Sequence, residues 1–220
     1  YDYAGPITLT QNTSLRARGF QEGLRPSNIT TATFLMNVYH SLPIICLTCD
    51  PDDLYNDEDG ILALGTTETF DHNPPFKNAT YWKKTPHAGN FEYFTSEGTS
   101  ELNQGVELQL NGQFSLDQAQ KSWRVTAKAK YGSDTFEYPF FSDRPYTSYH
   151  SIILRNGGQD GKYTRIVDAL QSIIVDWTGS TVFHMAYEPV IVYLNGEYWG
   201  QYNLRERINK YSIADYEGWS

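Results

Sequence analysis

Pro189-Val-Ile-Val-Tyr-Leu-Asn-Gly-Glu-Tyr-Trp-Gly-Gln-Tyr-Asn-Leu-Arg-Glu206 is the stretch whose reading decides the fold. Two strand-like runs, Pro189 to Leu194 and Glu197 to Leu204, flank Asn195-Gly196. That pair is the favoured centre of a two-residue type I′ turn, because both residues tolerate the left-handed conformation the turn requires. The turn sets a register, with Tyr193 expected opposite Tyr198 and Val192 opposite Trp199, giving aromatic and β-branched cross-strand pairs.

Working outward, Val106 to Leu110, Ser122 to Lys128 and Ser151 to Leu154 also read as strands. Leu42-Pro-Ile-Ile-Cys-Leu-Thr-Cys-Asp50 is a further apolar strand. Its Cys46 and Cys49 form a CxxC, but residues three apart on a strand point to opposite faces, so two separate free thiols are expected rather than a redox or zinc pair. One clear helix is predicted, from about Tyr163 to Trp177, with Ile166, Val167, Leu170, Ile173, Ile174 and Trp177 forming an apolar stripe. Asp168 lies nearly opposite that stripe on the helical wheel. Residues 61 to 105 are turn-rich, broken by Asn73-Pro74-Pro75 and by Thr85-Pro86-His87-Ala88-Gly89. The acidic run Asp50 to Gly60 could offer oxygen ligands to calcium, yet its spacing lacks the terminal glutamate of an EF-hand loop and reads as a solvated turn. The fold class is therefore α+β, mostly antiparallel β with one principal helix.

Composition narrows the function. The 220 residues carry 17 Lys+Arg against 26 Asp+Glu, a formal net charge of −9, so the averaged field repels phosphate backbones and no nucleic-acid partner is expected. No apolar run approaches the roughly 20 residues that span a bilayer. His40, His72, His87, His150 and His184 show no metal-ligand spacing, and no Walker-type, GxGxxG or GxSxG motif is present. The chain opens on Tyr1 without a signal-type stretch, so the natural start is expected to have been removed. Tyr and Trp enrichment with low lysine content suggests an extracellular setting.

Four segments in order, Leu42 to Pro51, Gln120-Lys-Ser-Trp-Arg124, Leu154-Arg-Asn-Gly-Gly158 with Asp168-Ala-Leu170, and Asn195 to Glu206, resemble the CotH (spore coat protein H) kinase-like family of secreted bacterial proteins. Residues 37–220 would then be the N-terminal part of that domain, arranged like a small kinase lobe. The family usually places arginine directly before the helix aspartate, whereas this chain has Val167 there and Arg165 two positions earlier. Residues 1–36 read as three strands, Pro6 to Thr10, Ser14 to Gln21 and Thr30 to Leu35, and resemble the end of a chitobiase C-terminal-type immunoglobulin-like module, an incomplete β-sandwich piece.

The resemblance implies ATP-dependent phosphoryl transfer to protein Ser/Thr in the intact protein, with ATP and Mg as cofactors. Such chemistry needs a cation on the nucleotide phosphates, a carboxylate to orient it and metal-binding carboxylates. On that analogy Lys121 is expected on the phosphates, Asp168 as the orienting carboxylate, and Arg155 and Glu206 as further cofactor-binding residues. A solvated strand lysine, a surface aspartate, a loop-fixing arginine and a helix-start glutamate are their structural alternatives. The family's metal-binding acidic residues are expected in a later half, so the chain alone is expected to be inactive. The rival reading is a non-catalytic extracellular module that binds carbohydrate through aromatic surfaces, mediates adhesion, or self-associates through strand edges.

Overall fold

The structure, a computed structural model, describes residues 2–66, 76–180 and 182–219. The Asn73-Pro74-Pro75 breaker and His72 lie outside the described residues. In chain order the elements are β1 (Thr13–Ala17), β2 (Thr30–Phe34), β3 (Ile44–Cys49), α1 (Pro51–Tyr55), β4 (His87–Phe94), β5 (Ser100–Asn111), β6 (Ser122–Ala127), β7 (Phe136–Glu137), β8 (Ser148–Tyr149), β9 (Ser151–Arg155), α2 (Val167–Trp177), β10 (Tyr187–Leu194), β11 (Glu197–Glu206) and α3 (Lys210–Glu217).

Seven strands close into a barrel in the order β10-β11-β9-β6-β5-β4-β3. All neighbours are antiparallel except β3 and β10, which run parallel, with Ile191 beside Ile44 and Leu194 beside Leu47. The β-rich, mostly antiparallel α+β class is as expected. The kinase-lobe-like arrangement is not: the parallel pairing of β3 with β10 joins the two edges of what would otherwise be an open sheet. Closure removes those edges, and the two-stranded pairs β1–β2 and β7–β8 stand outside it.

Alternation along each strand fills the barrel. Ile45, Leu47, Phe91, Tyr93, Leu108, Leu110, Trp123, Val125, Ile152, Leu154, Val190, Val192, Tyr202 and Leu204 share one buried core. Every residue of β3 is buried, because its other face, with Ile44 and Cys46, is covered by Ile191, Tyr193, Leu35, Val38 and Leu42. A strand covered on both sides reads as a continuous apolar run. Cys46 and Cys49 are free, buried thiols that belong to the outer cluster and the inner core respectively. Burial pushes the Cys49 thiol up to about 12.

The hairpin forms as predicted at its tip. Asn195 and Gly196 take φ of 51° and 85°, and Tyr193 faces Tyr198. Beyond the tip a bulge shifts the register, so Val192 faces Gly200 rather than Trp199. Gly200 permits it with φ of 121°, a value that favours glycine.

Two of the three N-terminal strands form, paired with Ser14 opposite Thr33 and Arg16 opposite Thr31; Pro6 to Thr10 is not a strand. The pair docks on the barrel through the buried carboxylate of Glu92, which accepts from the Thr33 backbone N–H at 3.0 Å and from its hydroxyl at 2.5 Å. The acidic run is more structured than a solvated turn. Asp50 caps α1, and Asp53 Oδ1 and the Asp59 carbonyl clasp the two ring nitrogens of His87 at 3.0 and 2.9 Å.

The principal helix begins at Val167 rather than near Tyr163. Asp160 takes the N–H groups of Thr164 and Val167, both at 3.2 Å, and Arg165 turns left-handed with φ of 63°, so the helix cannot extend further back. Its apolar stripe faces outward: Ile166, Val167, Leu170, Ile174 and Trp177 are between 41% and 78% exposed, while Ala169 is buried.

Candidate functional site

Inner residues of β9 and β11 are Ile152, Leu154, Tyr202 and Leu204, so alternation turns Arg155, Asn203 and Arg205 to the outer face. There Arg155 stands beside Asn203, and Arg205 beside Ile153. The first turn of α2 lies over them. The Asp168 carboxylate pairs with Arg155 Nε and lies 3.3 Å from Arg205 Nη1. One turn later, the Ser172 hydroxyl accepts from Arg205 Nη2 at 2.8 Å. The carbonyls of Ala186 and Met185 take the remaining Arg205 contacts at 2.9 and 3.0 Å.

The two guanidiniums differ in access. Arg205 is deeply buried; burial lowers its pKa against the opposing attraction of Asp168. Arg155 has a side chain 37% exposed. The glycine loop makes room for it: a Cβ on Gly158 would sit 2.8 Å from Arg155 Nη2. Asn156 fixes that loop, its side-chain oxygen accepting from the Ser122 hydroxyl at 2.8 Å and the Gly158 N–H at 2.9 Å, and its amide donating to the Gln120 carbonyl at 2.6 Å.

Arg155 and Asp168 are thus brought together, whereas Lys121 and Glu206 are not brought to them. Trp123 is in register with Leu154 and Glu206 with Ile152, so Lys121 and Glu206 sit toward opposite ends of the barrel. Lys121 is 8% exposed. Its ammonium donates to the Leu116 and Gln118 carbonyls at 2.7 and 2.9 Å and lies 4.1 Å from the centre of the Tyr81 ring, while burial brings its pKa down to about 8. Glu206 is buried and accepts from Arg144 Nε at 2.9 Å and from the Tyr146 hydroxyl. Burial, then this bond to Glu206, raises the Tyr146 pKa.

Arg205, Ser172, Arg144 and Tyr146 were not singled out from sequence. Arg205 had a signal, since it alternates with Tyr202 and Leu204 and had to face a neighbour outside the core. Arg144 and Tyr146 lie between β7 and β8 with no periodicity to mark them. Arg165, the displaced arginine, donates to the Gly161 and Gln201 carbonyls at 3.0 and 3.3 Å and serves the loop.

The sequence model of the CotH kinase protein family matches residues 108–217, half of the chain. The chain belongs to the CotH kinase protein family. The match runs from within β5 to the end of α3 and includes Lys121, Arg155, Asp168 and Glu206. No curated protein matches the chain.

Kinase chemistry in this family implies ATP and a divalent metal, and the residues fit the two unequally. Arg155, the accessible guanidinium of the two, offers a planar donor of the kind that recognises phosphate. Among the described residues, no group of three or more His, Cys, Asp or Glu side chains could hold a metal ion, and the Asp168 carboxylate is already engaged by two guanidiniums. The described residues therefore offer phosphate donors beside a carboxylate that is already paired, and no ready cluster of metal ligands.

Proposed function

We propose that this chain contributes the phosphate-facing part of a secreted, ATP-dependent CotH protein kinase that modifies protein Ser/Thr in its intact form. The reading rests on Arg155, a half-exposed guanidinium held at one nitrogen by Asp168 and given space by Gly158. Among the described residues its two terminal nitrogens donate no hydrogen bond. A pre-oriented, always-charged fork with free donors suits phosphate oxygens.

Lys121 contributes indirectly in this reading. It holds the Gln118 carbonyl, and the Gln118 side chain donates to the Gly158 carbonyl at 2.7 Å, so the lysine steadies the loop that shapes the Arg155 site. Glu206 steadies the far end of the barrel through Arg144 and Tyr146. On this reading the chain alone is expected to bind nucleotide without catalysing transfer. The aromatic-rich, lysine-poor composition supports an extracellular location.

Titration with ATP tests this. Saturable binding is expected, weakened about tenfold in Arg155→Ala, the loss of a charge-assisted hydrogen bond, and less in Lys121→Ala. Binding that ignores Arg155→Ala, or magnesium-dependent phosphorylation of a protein by the chain alone, would sink the reading.

A further inference from the structure

The β1–β2 pair lies across β4 and β5, with the Asn103 amide donating to the Thr31 carbonyl at 2.8 Å. Between pair and barrel is a cavity of about 270 Å³, lined among others by Arg16, Arg18, Asn28, Asn90, Lys130 and Tyr131. None of its lining residues is Asp or Glu. In a chain of net charge −9, this is a local reversal of sign, and a concave wall concentrates such a field.

The cations keep capacity for a ligand. Arg16 Nη1 is 3.6 Å from the exposed Asp50 carboxylate, and the exposed Lys130 ammonium is 3.5 Å from Glu107; long pairs with one partner in solvent are weak. Arg18 uses Nε on the Ser27 carbonyl at 2.9 Å. The other elements are held in place. A Cβ on Gly105 would lie 2.7 Å from the Tyr131 Cβ, so glycine there lets Tyr131 pack directly on β5. The Asn90 amide is fixed on Asn103 at 2.9 Å.

Guanidiniums that take a carboxylate in bidentate fashion, amides that match hydroxyls and an aromatic ring that is apolar on its face and polar at its tip together suit one class of ligand. We propose that this cavity binds a uronate residue of an acidic polysaccharide, its carboxylate between Arg16 and Arg18 and its ring against Tyr131. The volume is at the small end of ligand pockets, which begin at about 300 Å³, and accommodates a single sugar ring. The site is formed by β1, β4, β5 and the segments beside them and does not depend on the nucleotide reading.

Calorimetric titration of the whole chain with trigalacturonate, with maltotriose as the neutral comparator and inorganic phosphate as the bare anion, decides it. Trigalacturonate is expected to bind saturably and maltotriose not at all. The Arg16→Gln/Arg18→Gln double variant should lose at least about tenfold in affinity, and Arg16→Lys less. Tyr131→Ala should lose severalfold, with thermal unfolding of each variant confirming a folded barrel. Absence of trigalacturonate binding, affinity unchanged in the double variant, or phosphate binding as tightly as the saccharide would each overturn the proposal.

Discussion

The barrel and helix α2 use their apolar residues in opposite ways. Inside the barrel, alternate side chains of every strand meet in one core, and the alternates face out, apolar where β3 and β10 carry a second buried cluster. On α2 the apolar stripe is exposed, and the face carrying Asp168, Ala169 and Ser172 is laid on the barrel. The ground beneath explains the inversion, because the outer surface of β9 and β11 sets Arg155, Asn203 and Arg205 around Ile153. Burying one leucine there would gain about 1.5–3 kcal/mol. Leaving the buried Arg205 without its carboxylate would cost about 3–5 kcal/mol. The charge decides which side of the helix packs, and hydrophobic periodicity says only which side is apolar.

The largest test of this contrast lies in the barrel. Phe91 is fully buried and meets the edge of Phe136 at 5.1 Å between ring centres. Phe91→Ala is expected to lower the unfolding free energy by about 3–5 kcal/mol in urea titrations, the usual toll of an unfilled aromatic site. A loss below about 1 kcal/mol would mean that the barrel interior is no better packed than the helix surface.

A smaller effect comes from Lys121, whose ammonium is enclosed at the barrel's end. The folded pKa of Lys121, about 8, lies below its ordinary 10.5. Between those values the unfolded chain binds a proton that the folded chain has released, so stability rises with pH across that window. Relative to Lys121→Met, the wild-type protein should gain about 1–3 kcal/mol between pH 8 and 10.5; the tyrosines titrating there are common to both proteins and cancel. A flat difference would indicate that the carbonyls of Leu116 and Gln118 and the Tyr81 ring hold the charged form fully.

The same contrast sets what could be read from the sequence. Strand existence was legible because alternation and the Asn195-Gly196 turn are local signals. Closure was not, since the parallel pairing of Ile44–Leu47 with Ile191–Leu194 joins segments far apart in sequence and no local pattern encodes it. The Val192 register failed on a bulge at Gly200, whose glycine was visible but whose consequence depends on the neighbouring strand. At the site, the wheel placed Asp168 correctly opposite the stripe and left its surroundings open; the partners Arg155 and Arg205 come from two strands that become neighbours only through the β9–β11 pairing. Lys121 was legible as a residue of interest, but its burial follows from the Phe114–Asp117 turn and Tyr81, which carry no periodic signature.

The smallest expected effect bears most directly on the inversion. If the stripe of α2 were packed, Leu170→Ser would remove a buried leucine and introduce an unpartnered hydroxyl, a loss of at least about 2 kcal/mol. Because Leu170 is 41% exposed, the substitution is expected to stay within about 0.5 kcal/mol of wild type. Ser172→Ala, a smaller chemical change two residues along, should cost more, since it strips the acceptor at 2.8 Å from buried Arg205 and leaves a charged donor unsatisfied. The order of those two variants in urea unfolding is the decisive quantity. With Leu170→Ser the more damaging, the helix would be held by its apolar face, and the Asp168 pairing with Arg155 and Arg205 would be a surface contact with little hold on the fold.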